Sequence, residues 1–265
     1  MLRRVFLSFA ALALAPAAAM AGSAWDELRP RIFGPRPILD GTGMVELVSP
    51  YRAADDRQVP LAIKAKLREG LTVSKASLVI DENPMPLSAA FHFDKSVSEI
   101  AVGANFRFNG PSPVHLVIEA SDGTLYGVES YVKTSGLGAC ASPPVRDPVE
   151  ALADLGRMDL EDVTGRLSAA TMIERRARLA IRHPNHTGLQ MNQLTLHYVL
   201  PRYVDLIEVK QGDEMLFRLE AGISLSEDPR IDFAFRLNGA SSLDIRIRDT
   251  DKAEFTKSFP LQPQS

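Results

Sequence analysis

One residue in this chain of 265 is a cysteine, Cys140. A thiolate is the strongest common nucleophile among side chains, and it forms disulfides, persulfides and other sulfur adducts. Its immediate setting is Gly136-Leu-Gly-Ala-Cys-Ala-Ser-Pro143, in which Gly136, Gly138, Ala139 and Ala141 are all small. Buried structural cysteines usually sit among large apolar neighbours. Glycines instead permit unusual backbone angles, and alanines add no bulk around the sulfur. From Lys133 to Cys140 the arm is seven residues, about 25 Å when fully extended. The pattern predicts a thiol on a flexible, exposed tether that enters a partner's site. A nucleophilic cysteine enzyme needs a base near the sulfur, and no histidine lies within twenty residues of Cys140. Intrinsic catalysis is therefore not expected. An incidental loop thiol and an intrinsic enzyme remain the competing readings.

Other residue groupings carry less. His183-x-x-His186 has metal-pair spacing, but zinc wants a third and fourth ligand, and Pro184 and Gly188 make the segment a turn. No metal and no cofactor is expected. Asp55-Asp56 and Glu161-Asp162 are paired carboxylates that read more simply as solvated loop charges. Arg175-Arg176-x-Arg178 is too short a basic cluster for nucleic acid. The formal charge of −3 points the same way, since nucleic-acid binders usually carry a basic surface. Phe91, Phe93, Phe106 and Phe108 alternate at strand spacing, which reads as core.

The elements that must position the thiol follow from the rest of the chain. At 45% hydrophobic and 24% charged residues, it is an ordinary globular sequence and not a disordered one. Residues 1–21 form a signal peptide: Arg3 and Arg4, an apolar run of about eleven residues, and a small-x-small Ala19-Met20-Ala21. The run is short of the ~20 residues that span a bilayer, so no membrane anchor is expected after cleavage. The mature protein is expected to be periplasmic. Arg3-Arg4-Val5-Phe6-Leu7 also fits the twin-arginine export pattern.

After the signal, short alternating segments recur between turn residues, the mark of sandwich proteins. Strands are expected at 59–66, 76–81, 97–108, 114–121 and 125–133, and again at 177–182, 194–200, 204–210, 215–220, 231–237, 243–249 and 254–259. A short helix near Trp25 is expected to stop at Pro30. Asp147 reads as the cap of a second short helix ending near Gly156, with Pro148 at its first position and Glu150 closing a capping box. Residues 159–176 read as linker with marginal helix. The fold expected is all-β: two immunoglobulin-like β-sandwich domains, 22–133 and 177–265, joined by a flexible Cys-bearing linker and a short helix over 134–176.

Two further stretches carry a family resemblance. Gly41–Pro60, Asp81-Glu-Asn-Pro-Met-Pro86 and Phe91-His-Phe93 resemble the sulfur-carrier family SoxY. His183-Pro-Asn-His-Thr-Gly-Leu189, Ile207–Gly212 and Asp228–Gly239 resemble its partner family SoxZ. The order suggests a fused SoxYZ-like carrier, of the type associated with quinoprotein (PQQ-dependent) dehydrogenases. The resemblance implies two paired immunoglobulin-like sandwiches and a covalent sulfur-carrying role for Cys140. The carrier arm would be the segment bearing Gly136, Gly138, Ala139 and Ala141. It departs from the family's terminal Gly-Gly-Cys-Gly-Gly arm in being bulkier and internal. Partners implied are periplasmic sulfur-processing enzymes or a quinoprotein dehydrogenase system; no nucleic acid is implied, and a homo-oligomer is compatible. The alternative reading is a non-covalent binding or assembly module for the quinoprotein system, with the thiol secondary.

Overall fold

The structure, a computed structural model, describes residues 24–136, 138–147, 150–164 and 174–261. The stretch expected as a signal peptide, Leu137, Pro148 and residues 165–173 lie outside the described residues. The chain opens with α1 (Ala24–Phe33), whose Asp26 and Glu27 sit in the first turn and Arg31 in the last, complementing the helix dipole. The helix runs past Pro30. The missing proline N–H forfeits one bond, but Gly34 N–H closes onto Pro30 O at 3.0 Å, and Phe33 anchors the end against Val79, Val117 and Leu125.

The first half then supplies β1 (Ile38–Asp40), β2 (Val45–Val48), β3 (Val59–Lys66), β4 (Val73–Ile80), β5 (Leu87–Val97), β6 (Glu99–Phe106), β7 (Ser112–Ala120) and β8 (Leu125–Val132). The second half supplies β9 (Met158–Asp162), β10 (Glu174–Ile181), β11 (Val204–Gln211), β12 (Glu214–Ala221), β13 (Arg230–Arg236), β14 (Ser242–Asp249) and β15 (Glu254–Pro260). Alternation decides which face is core. In β3, Val59, Leu61, Ile63 and Ala65 are buried while Pro60, Lys64 and Lys66 are exposed. In β14, Leu243, Ile245 and Ile247 are buried between half-exposed Asp244, Arg246 and Arg248.

The immunoglobulin-like sandwiches are present, but their sheets do not stop at the boundary between the halves. One sheet runs β1-β8-β7-β4-β5-β12-β11-β14-β15 and the other β2-β3-β6-β13-β10-β9. The halves meet where β5 pairs antiparallel with β12, from Ala89↔Ala221 to His92↔Arg218, and where β6 pairs with β13, from Val102↔Phe233 to Ala104↔Ile231. Gly103 sits in this seam because any Cβ there would lie 2.9 Å from Leu61 O. Beneath both pairings is one core. Phe91 of the first half lies 5.9 Å, centroid to centroid, from Phe217 of the second, and Phe217 lies 5.3 Å from Phe233. Each buried aromatic of this kind contributes roughly 1.5–3 kcal/mol from removal of apolar area from water.

Three further expectations about elements are corrected. Residues 159–176 do not begin as helix: β9 pairs with β10 from Met158↔Ile181 to Asp162↔Ala177. Met158 is buried and Leu160 packs on the core, so an alternating pattern finds a sheet face to cover. Residues 194–200 do not form a strand. They lie in a loop closed by the bridges Met191↔Tyr198 and His186↔Arg202 and by turn hydrogen bonds such as Asn192 N–H to His197 O, and among the described residues their apolar side chains join neither apolar cluster. The second helix is a single 3-10 turn, Glu150–Leu152. Asp147 caps it as expected, its Oδ1 accepting from Glu150 N–H at 3.2 Å.

Candidate functional site

The Cys140 arm leaves β8 at a bridge between Lys133 and Arg52. Ser135 is then held by Asp56, which accepts both its N–H and its hydroxyl. Gly136 and Gly138 adopt φ of 78° and 74°, the left-handed region open to glycine at no steric cost. They fold the chain back instead of extending it. Ala139 N–H reaches Phe108 O at 3.3 Å and Ala141 N–H closes a turn onto Gly138 O at 3.0 Å. The Ser142 hydroxyl donates to the same Gly138 carbonyl. This tight turn points Cys140 inward, with 0% exposure, and leaves Gly136 and Ala141 at the surface.

The second half closes over the arm. Thr187 Oγ1 donates to Cys140 O at 2.7 Å, and Gln190 Nε2 donates to Ser142 O at 3.1 Å. Glu227 Oε2 accepts from Val145 N–H at 3.2 Å. Arg146 pairs with Asp154 at 2.8 Å. Beside the thiol runs the buried side chain of Arg107, directly after β6. Its Nη1 donates to the carbonyls of Asn185 at 2.9 Å, Leu225 at 2.8 Å and Ile223 at 3.4 Å, and its Nη2 to Pro184 O at 3.4 Å. Asn83 repeats the bridging: it donates to Arg107 O and Ser224 Oγ and accepts from Asn109 N–H. The arm is thus seated at the junction of the two halves.

The expectation of an extended, exposed tether is therefore corrected. The small residues that suggested freedom instead allow close packing and a tight turn, and the backbone polar groups find partners on both halves. Cys140 nonetheless belongs to neither apolar cluster among the described residues; its surroundings are rich in polar groups. A crevice of about 10 Å³ beside the arm, lined by Arg57, Arg107, Ala139, Ser142, Gln190 and Glu227 among others, has room for about one water molecule.

Burial governs the charges here. It pushes the Cys140 thiol up to about 11, against the pull of the Arg107 charge. It pushes Arg107 down to about 10, opposed by Cys140 and Glu227. Burial also raises the Glu227 carboxyl and lowers His186. At neutral pH the seated thiol is protonated and unreactive, while the guanidinium keeps its charge.

The remaining candidates take structural places. His183 is sealed, its Nδ1 accepting from Asn185 N–H at 3.0 Å and its Nε2 3.5 Å from Asp249 Oδ2. No group of three or more metal-ligating side chains occurs among the described residues. Asp55 chelates Arg57, and Asp162 binds Thr164 and Arg175. Phe91, Phe93, Phe106 and Phe108 are core. A separate cleft of about 890 Å³ is lined by Ile100, Val102, Phe93 and Phe217 among others. It opens at the Glu99 end of β6, about 30 Å along the strand direction from the Phe108 end where Cys140 sits. Arg107, Thr187, Gln190 and Glu227 were not singled out from sequence. Arg107 alternates with core Phe106 and Phe108, so the period places it on an outer face; only the approach of the second half turns that face inward.

Comparison with known proteins gives two family matches. Residues 29–140 match sulfur oxidation protein SoxY, and residues 168–260 match sulphur oxidation protein SoxZ. No curated protein sequence matches the chain. Among solved structures, the sulfur carrier protein SoxY from Chlorobium limicola f thiosulfatophilum is similar at 21% identity and a TM-score of 0.35, covering 42% of this chain and 91% of that one. A superoxide reductase (neelaredoxin) from Ignicoccus hospitalis is similar at 10% identity and a TM-score of 0.29, covering 35% of this chain and 80% of its own.

Proposed function

From a chain that belongs to the sulfur oxidation families, a SoxY domain followed by a SoxZ domain in one polypeptide, we propose a periplasmic carrier that holds a sulfur-containing intermediate covalently on Cys140 and presents it to partner enzymes. The observation that carries this reading is the extent of the SoxY match, which runs to residue 140, the one thiol in the chain. In this reading the chain carries the sulfur and the partner enzyme supplies the catalysis. The seated thiol is the resting form. Lifting the arm returns the thiol toward an ordinary value near 8.5, where a few per cent is thiolate at neutral pH. Joining a thiol to a reduced sulfur species releases two electrons and its protons, which the partner enzyme takes. Mass spectrometry of the protein isolated from its native periplasm tests the reading. Reducible sulfur adducts on Cys140 are expected; a uniformly bare thiol under inducing conditions refutes it.

A second reading has its own support. Complete burial of Cys140, with the arm clamped at Cys140 O, Ser142 O and Val145 N, favours a non-covalent binding or assembly module, for instance for a quinoprotein dehydrogenase system. A Cys140→Ser strain separates the two. Full function in that strain, with loss of function on deleting the whole protein, selects the module.

A further inference from the structure

Between Arg182 and Arg202 there is no Asp, Glu, Lys or Arg, in a chain that is 24% charged. The outer part of this stretch is a loop folded as a narrow hairpin. Asn192 N–H bonds His197 O and Leu196 N–H bonds Asn192 O, each at 2.9 Å. Asn192 Oδ1 accepts from Leu194 N–H and Thr195 N–H and fixes the tip. Four large apolar side chains stand at alternate positions on it, all in solvent: Leu194 at 92% exposure, Leu196 at 68%, Tyr198 at 66% and Leu200 at 82%. Single exposed leucines need no explanation, but four large exposed apolar side chains within seven uncharged residues do. Leu196 sharpens the point. It sits at φ 57°, a conformation that glycine fills without a β-carbon penalty and that asparagine tolerates through local hydrogen bonds of its side chain. A leucine there is conformationally costly, and its side chain touches no core.

The base of the same hairpin holds the sulfur arm. Thr187 grips Cys140 O and Gln190 grips Ser142 O. Leu189 at 40% and Val145 at 62% are exposed as well, and Val145 and Gln190 line one crevice. With both ends of the arm fixed, at Ser135 and near Arg146, the freed segment bulges by at most about 17 Å. A partner that receives Cys140 must seat within that radius. The tip of the hairpin lies within about five residues of Gln190, a similar reach.

We propose that the hairpin spanning residues 189–200 is a docking element that inserts its leucine row into an uncharged apolar groove on the enzyme that works on the Cys140 sulfur. The inference rests on the carrier reading for the identity of that partner. Charge depletion and large apolar side chains are what the centre of a protein interface carries. Pulling on the hairpin also strains the two hydrogen bonds at its base, so docking and arm release share one element.

The test places a photo-crosslinking benzoylphenylalanine at position 198 in the native host, with position 256 on β15 as a control. The captured partner is then purified and titrated against full-length protein. Capture at 198 and not at 256 is expected, with binding weakened at least tenfold by the triple variant Leu194→Ser/Leu196→Asn/Leu200→Ser. No capture, capture only of a second copy of this chain or of lipid, or equal binding by the triple variant each overturns the proposal. A partner that docks yet leaves no sulfur on Cys140 refutes the carrier reading while the docking surface stands.

Discussion

The arm at 138–142 and the hairpin at 189–200 invert what their compositions suggest. The arm is glycine, alanine, cysteine and serine, and its centre is sealed from solvent. The hairpin is rich in leucine and its tip is almost fully exposed. The difference lies in what each segment meets. The arm's small residues let its backbone approach Phe108, Thr187 and Gln190 closely enough for hydrogen bonds. The hairpin's large residues meet no facing layer among the described residues. Burial here follows from available partners, and hydropathy alone does not decide it.

Removing the floor under the arm should have the largest effect. Arg107→Met strips donors from four carbonyls contributed by the second half. Buried acceptors left unpaired cost about 1–3 kcal/mol each, so a loss of at least 3 kcal/mol is expected in denaturant unfolding. A loss under 1 kcal/mol would mean that the junction is held elsewhere.

Next comes acid. Burial holds His183, at the foot of the hairpin, down to about 4, against the pull of Asp249. Between that value and the ordinary 6.5 the unfolded chain binds the extra proton. Stability is therefore complete above pH 6.5 and falls as pH drops toward 4, by up to about 3 kcal/mol. Unfolding curves across that range should show the slope, and His183→Gln should flatten it.

Bulk separates the two sides of the arm. Ala139 is 3% exposed and Ala141 is exposed. Ala139→Leu should cost about 1–3 kcal/mol by overpacking, whereas Ala141→Leu should change melting little. Equal effects would show that the arm is not seated in solution.

Thr187→Val removes the hydroxyl that holds Cys140 O. A loss of about 1 kcal/mol should speed labelling of the thiol by a disulfide reagent about fivefold. Unchanged labelling would mean that this bond does not hold the arm shut. The smallest effect is expected at the hairpin tip: Leu194→Ser should alter stability by less than about 0.5 kcal/mol, as for surface sites without packing. A larger loss would mean that the tip packs against the body.

Much of the architecture was legible from sequence. The alternating runs gave β3 residue for residue and located β4, β6, β7, β8 and most of the second-half strands, because a period of two requires only one buried face. The same rule misplaced residues 194–200, where alternation exists without a sheet to receive it. It missed β9, since five residues give too little period to distinguish from a linker. Cys140 was legible as the chemical centre by its singularity and by its resemblance to the SoxY arm. Its seat was not, because Arg107, Thr187, Gln190 and Glu227 are brought to it from separate segments by pairings no local pattern announces.

The continuous sheets carry one more consequence. Phe91 and Phe217 come from opposite halves yet fill one space, and the β5–β12 and β6–β13 ladders are matched residue by residue. Chimeras that exchange one half for that of a distant relative would import a mismatched seam, so the two halves behave as a lock and its key and must be exchanged together.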